Sequence, residues 1–243
     1  MQPEAVTESD KIKQEIFSEH LRYSNVFMRF KGGMCGLKTD WEAVCKGSEG
    51  VSASCRKFTE AAEGTSVENT LKRKNLLHEI EEYARTVRER SNFLAYGLNE
   101  LADQIKDTET QLTNIHSKII ELCAEFELAG GSPGFVVKVP DLARNIEALN
   151  AELKALPARR VAFEVLQDRC REIYDTVWEK MRERNTEEDT YHYRIGPDTA
   201  KEFAGFSAPI VDAIERALDG VKDLRQRERK ASRDDTEFPV WPS

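Results

Sequence analysis

The stretch LHEIEEYARTVRERSNFLAYGLNELADQIKDTETQLTNIHSKIIELCAEFELA, Leu77 to Ala129, decides how the rest of the chain is read. Its seam runs Leu77, Ile80, Ala84, Val87, Ser91, Leu94, Leu98, Leu101, Ile105, Thr108, Leu112, Ile115, Ile119, Leu122, Phe126, Ala129. The steps alternate between three and four without interruption, which is a heptad pattern. At about 1.5 Å per residue such a helix is a rod roughly 80 Å long. Propensity alone does not hold up an isolated helix in water, so another helix must lie along this seam. Ala95, Ala102 and Cys123 widen the apolar face where a two-stranded coiled coil would carry charges, so the pattern asks for a third helix along part of the length.

Downstream, Gly130-Gly131-Ser132-Pro133-Gly134 ends the rod, and Phe135 to Val139 reads as an extended tip. Pro140 and Asp141 open the next helix, with Asp141 as its cap. Its seam is Leu142, Ile146, Leu149, Leu153 and Leu156, then Phe163, Leu166, Cys170, Ile173 and Val177. Pro157 and a three-residue irregularity between the two runs predict one bent helix or two abutting ones. Residues 67–129 run out and 141–188 run back, the signature of a helical hairpin. A polar exit at Asn185–Thr190 and an aromatic linker, Tyr191-His192-Tyr193-Arg194, lead to Gly196-Pro197 and a final helix over 198–231. That helix has its seam at Phe203, Phe206, Ile210, Ile214, Ala217, Val221 and Leu224, and is the expected third helix. The tail, 232–243, is short, mixed in charge and proline-containing.

Upstream, Thr7 or Ser9 caps a helix reaching about Lys31, broad and aromatic toward its end. Gly32-Gly33-Met34-Cys35-Gly36 is expected to stop it, and Gly47 to Gly50 to break the chain again. Residues 32–66 thus read as short, irregular pieces, with Ser66 as a cap for the rod. The expected organisation is an N-terminal segment over 1–66, an elongated bundle over 67–231 and a flexible tail. The N-terminal segment should pack at the end away from the 130–140 tip. The fold class is all-α: an elongated antiparallel helical hairpin or coiled coil with a third long helix, three-helix-bundle-like and kinked near Pro157.

Candidate chemistry is sparse. The net charge of −8 disfavours a chain that coats nucleic acid or an acidic membrane. Cys35, Cys45 and Cys55 recur every ten residues, without the close pairing a zinc site uses. The histidines, His20, His78, His116 and His192, mark no base beside a thiol. The glycine runs lack phosphate-loop spacing and are explained by chain reversal. The seam holds no Glu-x-x-His pair for a carboxylate-bridged metal centre. The sequence therefore names no catalytic, cofactor or metal residue. It predicts a non-enzymatic protein-interaction or scaffold module with a protein partner, itself included as a homodimer. No apolar run approaches the length of a membrane span, and the cysteine usage fits a reducing compartment, the cytoplasm or nucleus.

Two sets of surface residues follow. Phe17, Phe27, Phe30, the tip residues Phe135, Val136 and Val137, and Phe238 and Trp241 of the tail are candidate partner contacts. Lys222, Arg225, Arg227, Arg229 and Lys230 form a basic face at the end of the last helix, the alternative footing for an adaptor that binds lipid or nucleic acid.

Overall fold

The computed structural model describes residues 7–130, 139–185, 190–193 and 195–231, with backbone alone at 184–185, 190–191 and 224–231. The elements in chain order are α1 (Glu8–Ala62), α2 (Val67–Leu128), α3 (Leu142–Thr176), a π-helical turn (Val177–Met181), β1 (Arg182–Asn185), β2 (Thr190–Tyr193) and α4 (Pro197–Ala231). The architecture is that of a helix bundle with one small antiparallel hairpin. It divides into two compact units. Among the described residues the first draws on α1 up to Cys35 and on Asn99–Ala155; the second draws on Gly36–Leu98 and on residues from Leu156 onward.

Local chemistry sets the helix starts. Thr7 and Asp10 form a reciprocal cap on α1: the Asp10 amide donates to Thr7 Oγ1 and the Thr7 amide to Asp10 Oδ2, each at 3.2 Å. Ser66 Oγ accepts from the Asn69 amide at 3.1 Å to open α2. Asp141 Oδ1 accepts from the Arg144 amide at 3.0 Å to open α3. At the far end of α2, Gly130 takes φ 73°, a conformation that favours glycine, and its amide donates to Glu127 O.

The α2 seam is buried at every position from Leu77 to Phe126, and only Ala129, past the helix end, is exposed. Burying each large aliphatic side chain contributes about 1.5–3 kcal/mol, so this stripe is the main source of cohesion.

The helix along this seam for its full length is α1, and here the structure overturns the expected breaks. α1 is continuous through Gly32-Gly33, Gly36, Gly47 and Gly50. Its inward seam, Phe30, Met34, Trp41, Val44, Ser48, Val51, Cys55, Phe58 and Ala62, keeps the heptad steps through the second pair of glycines. The chain turns at 63–66, so α1 and α2 are antiparallel neighbours. Ser54 Oγ donates to Glu79 Oε2 at 3.0 Å, and Arg90 pairs with Asp40 at 3.4 Å. Ile16 packs with Leu122 and Phe126. That last cluster corrects the placement of the N-terminal segment, which reaches the α2 end nearest residues 130–140.

Gly47 and Gly50 lie where α2 packs tightly against α1. A Cβ on Gly47 would sit 2.7 Å from Val87 Cγ2, and one on Gly50 would sit 2.5 Å from the Tyr83 ring. These glycines therefore serve packing, not chain reversal.

α3 runs as one element through Pro157, the first of the two expected alternatives. One seam of buried positions, Leu149, Glu152, Leu156, Arg159, Phe163, Leu166, Cys170 and Ile173, followed by Val177 of the π-helical turn, alternates three and four throughout. The expected irregularity does not exist; charged residues hold two of the core positions. In the first unit, Asn145 Nδ2 donates to the Tyr23 hydroxyl at 2.8 Å, joining α3 to α1. The returning helix ends at Thr176 rather than near 188, and the expected aromatic linker supplies β2. In the second unit, α4 packs on α1 through an edge-to-face contact of Phe58 with Phe203, centroids 5.1 Å apart.

Candidate interaction surface and buried polar groups

Ile16, Tyr23 and Phe30 of α1 turn inward, while Phe17, Leu21 and Met28 point out, at 60%, 63% and 62% exposure. Positions 17, 21 and 28 are four and seven residues apart, so they line one outward stripe. Ser24 lies on it between Leu21 and Met28 and is also exposed. Phe17 is thus placed as a surface residue. Phe27 is half-buried under the Lys31 ammonium, 4.7 Å from its ring centroid. Phe30, at 7% exposure, belongs to the inward seam and is removed from the contact set. Leu21 and Met28, not singled out from the sequence, complete the stripe; their offset from Ile16 and Tyr23 was the available signal. Phe135, Val136, Val137, Phe238 and Trp241 lie outside the described residues.

Of the basic face, Lys222 is exposed and pairs with Asp219 at 3.4 Å. Arg225, Arg227, Arg229 and Lys230 continue α4, their side chains outside the description. Their joint charge is therefore not part of the surface described here.

The most concentrated polar chemistry in the second unit surrounds Glu81 of α2, a carboxylate with 1% side-chain exposure. Arg182 Nη2 donates to both of its oxygens, at 2.7 and 2.6 Å. The Tyr193 hydroxyl donates to Oε2 at 2.6 Å, and Arg85 Nη2 to Oε1 at 3.3 Å. Arg182 and Tyr193 are directly paired across the β1–β2 ladder, which is why both reach one carboxylate. The Arg182 guanidinium also stacks 4.0 Å from the Trp178 ring centroid. Burial, then the bond to Glu81, push the Tyr193 phenol up to about 12. Arg182, Tyr193 and Arg85 all donate to Glu81, and Arg85 also pairs with Glu82 at 2.9 Å, so the cluster fastens the hairpin to α2.

The thiols are placed for packing. Cys45, Cys55 and Cys170 are buried, Cys123 is half-buried and Cys35 is exposed. Burial pushes the Cys170 thiol up to about 12 and raises Cys55 as well, with Cys170 nearby adding to the rise. Such thiols are protonated at neutral pH and are poor nucleophiles. Among the described residues no group of three or more His, Cys, Asp or Glu side chains is arranged to hold a metal ion.

Two shallow grooves complete the second unit. One, of about 310 Å³, is lined by Thr176, Glu179, Lys180, Thr199, Glu202 and Phe206 among others, with Lys180 5.7 Å from the Phe206 ring centroid. The other lies between α1 and α4 beside Arg56 and Glu215. There Arg56 binds Glu215 and reaches Asp212 at 3.2 Å, and Ser52 Oγ donates to Glu215 Oε1 at 2.7 Å. These bonds, Arg56 first and Ser52 next, hold the Glu215 carboxyl down to about 2. The groove groups bind one another.

No family model, curated protein or solved structure matches this chain. Among the described residues no helix is long and apolar enough to cross a membrane. The class that fold and surface define is a heptad-built helical bundle.

Proposed function

We propose that this chain is a non-enzymatic interaction module that binds a protein partner, a second copy of itself included, through the outward stripe of α1. The observation that carries this reading is the exposure of Phe17, Leu21 and Met28 on a helix whose opposite face is already buried. A helix apolar on two faces keeps one of them in water at a cost unless something covers it. The Glu81 cluster and the buried thiols support a structural use of the polar residues rather than turnover.

The test is a photo-crosslinking residue at Ser24, in the middle of the stripe, introduced into the full chain in its own cells. The expected result is a discrete crosslinked protein species, lost when Phe17→Glu, Leu21→Glu and Met28→Glu are combined and circular dichroism shows unchanged helix content. A second copy appears as a species of twice 27.7 kDa. Absence of any crosslink, or one indifferent to the three substitutions, refutes the reading.

A further inference from the structure

Gly32, Gly33 and Gly36 fall within five residues of α1, and a Cβ added at any of them would meet nothing within 4 Å. None has a positive φ. They differ in this from Gly47 and Gly50, whose missing side chains make room for α2. Nothing in the packing asks for glycine at 32, 33 or 36. Each nevertheless weakens the helix by roughly fivefold relative to alanine, and the three together by roughly 100-fold. A stretch that breaks the helix rule without a packing return is where a functional or strained site is expected.

α3 is weakened by Pro157 at the same level, where α2 carries Gly97. Leu37, next after the trio, packs against Gly97 of α2, where a Cβ would come within 2.0 Å of Leu37 Cδ2. Arg160 Nη2 of α3 donates to the carbonyl of Leu98 at 2.6 Å, only three residues beyond Pro157. Pro157 lacks the N–H that would bond the Leu153 carbonyl, and its ring crowds that carbonyl. The division into compact units falls at Cys35/Gly36, Leu98/Asn99 and Ala155/Leu156, within two residues of Gly97 and of Pro157.

We propose that this level is a hinge built into the fold: α1 opens and recloses over Lys31–Leu37 in the native state, with Gly97 and Pro157 as the points of give in α2 and α3. Backbone hydrogen bonds at the trio are lost and remade while the seams on either side, from Ile16 to Phe30 and from Trp41 to Phe58, stay packed. The device is a property of these helices alone and does not depend on what covers the outward stripe of α1.

Amide hydrogen exchange on the full chain tests it. In the natural sequence, amides of 31–37 should exchange on the order of 100-fold faster than those of 44–58. Combining Gly32→Ala, Gly33→Ala and Gly36→Ala should slow exchange over 31–37 by at least about tenfold and raise Tm. Gly33→Ala alone should give a smaller change in the same direction. Pro157→Ala should slow exchange around Leu153 without changing 44–58. Uniform protection along α1 in the natural sequence would overturn the proposal. So would a triple variant whose exchange is unchanged, or one that loses stability, since that would assign the glycines to packing.

Discussion

Arg182→Met is expected to destabilise the second unit by about 3–4 kcal/mol. Removing one partner of a buried ion pair leaves the other desolvated, at a cost of about 3–5 kcal/mol. Glu81, at 1% side-chain exposure, is such a group. The lower part of the range applies because Tyr193 and Arg85 would still donate to it. Loss of the guanidinium from the Trp178 face adds about 0.5–1 kcal/mol. Glu81→Gln keeps the shape and should cost less, about 2 kcal/mol, because Arg182 retains 18% exposure and is partly hydrated. Glu81→Leu combined with Arg182→Met removes both charges together, and buried pairs replaced by apolar groups of similar size are often neutral. The double variant should therefore lie within about 1 kcal/mol of the natural protein, giving a large coupling energy. Urea unfolding followed by far-ultraviolet circular dichroism on the natural protein, Arg182→Met, Glu81→Leu and the double variant measures it. If Arg182→Met costs less than about 1 kcal/mol, or if the single effects add in the double variant, the account of the hairpin anchor is wrong.

The same cluster gives a pH signature. Tyr193 titrates at about 12 in the fold, above its ordinary value near 10, so the fold favours the neutral phenol. Its contribution is intact below pH 10 and is lost as pH rises from about 10 through 12; subtracting the profile of Tyr193→Phe should isolate this slope from that of the buried thiols. Gly50→Ala, by forcing a methyl against the Tyr83 ring, should destabilise by about 1–3 kcal/mol in thermal melts. A neutral or stabilising outcome would mean the two helices part easily there. A thiol reagent applied to the native protein should modify Cys35 first and leave Cys45, Cys55 and Cys170 untouched until denaturant is added, as mapped by mass spectrometry.

The α2 seam was legible because every position in it that matters is aliphatic or small, and period alone identifies such a face. α1 was not, because its glycines have two different meanings that look alike in one dimension. At 47 and 50 they admit a neighbouring helix, and at 32, 33 and 36 they admit nothing, yet the helix continues through all five. Tertiary burial of Phe30, Met34, Trp41 and Val44 overrides the local preference for a break. α3 was misread for the opposite reason. Glu152 and Arg159 hold core positions, so a search for apolar residues took Leu153, passed from Leu156 to Phe163, and found a defect in the repeat. The β1–β2 hairpin escaped because its pairing rests on a carboxylate 101 residues away from Arg182, which no local pattern announces. Phe17 and Phe30 of α1 are equally apolar in sequence; only the packing around α1 separates the one that is covered from the one that is not.

The turn between α1 and α2 is closed by Arg73, which at 1% exposure donates to the carbonyls of Ala61, Ala62 and Gly64 and to the Thr70 hydroxyl. It satisfies three acceptors at and just past the end of one helix from the second turn of the next. All of its partners lie within twelve residues along the chain. During synthesis this clasp can therefore form as soon as residue 73 leaves the ribosome, with neither α3 nor α4 yet made. The turn between the two longest helices is thus held by contacts that are all local in sequence.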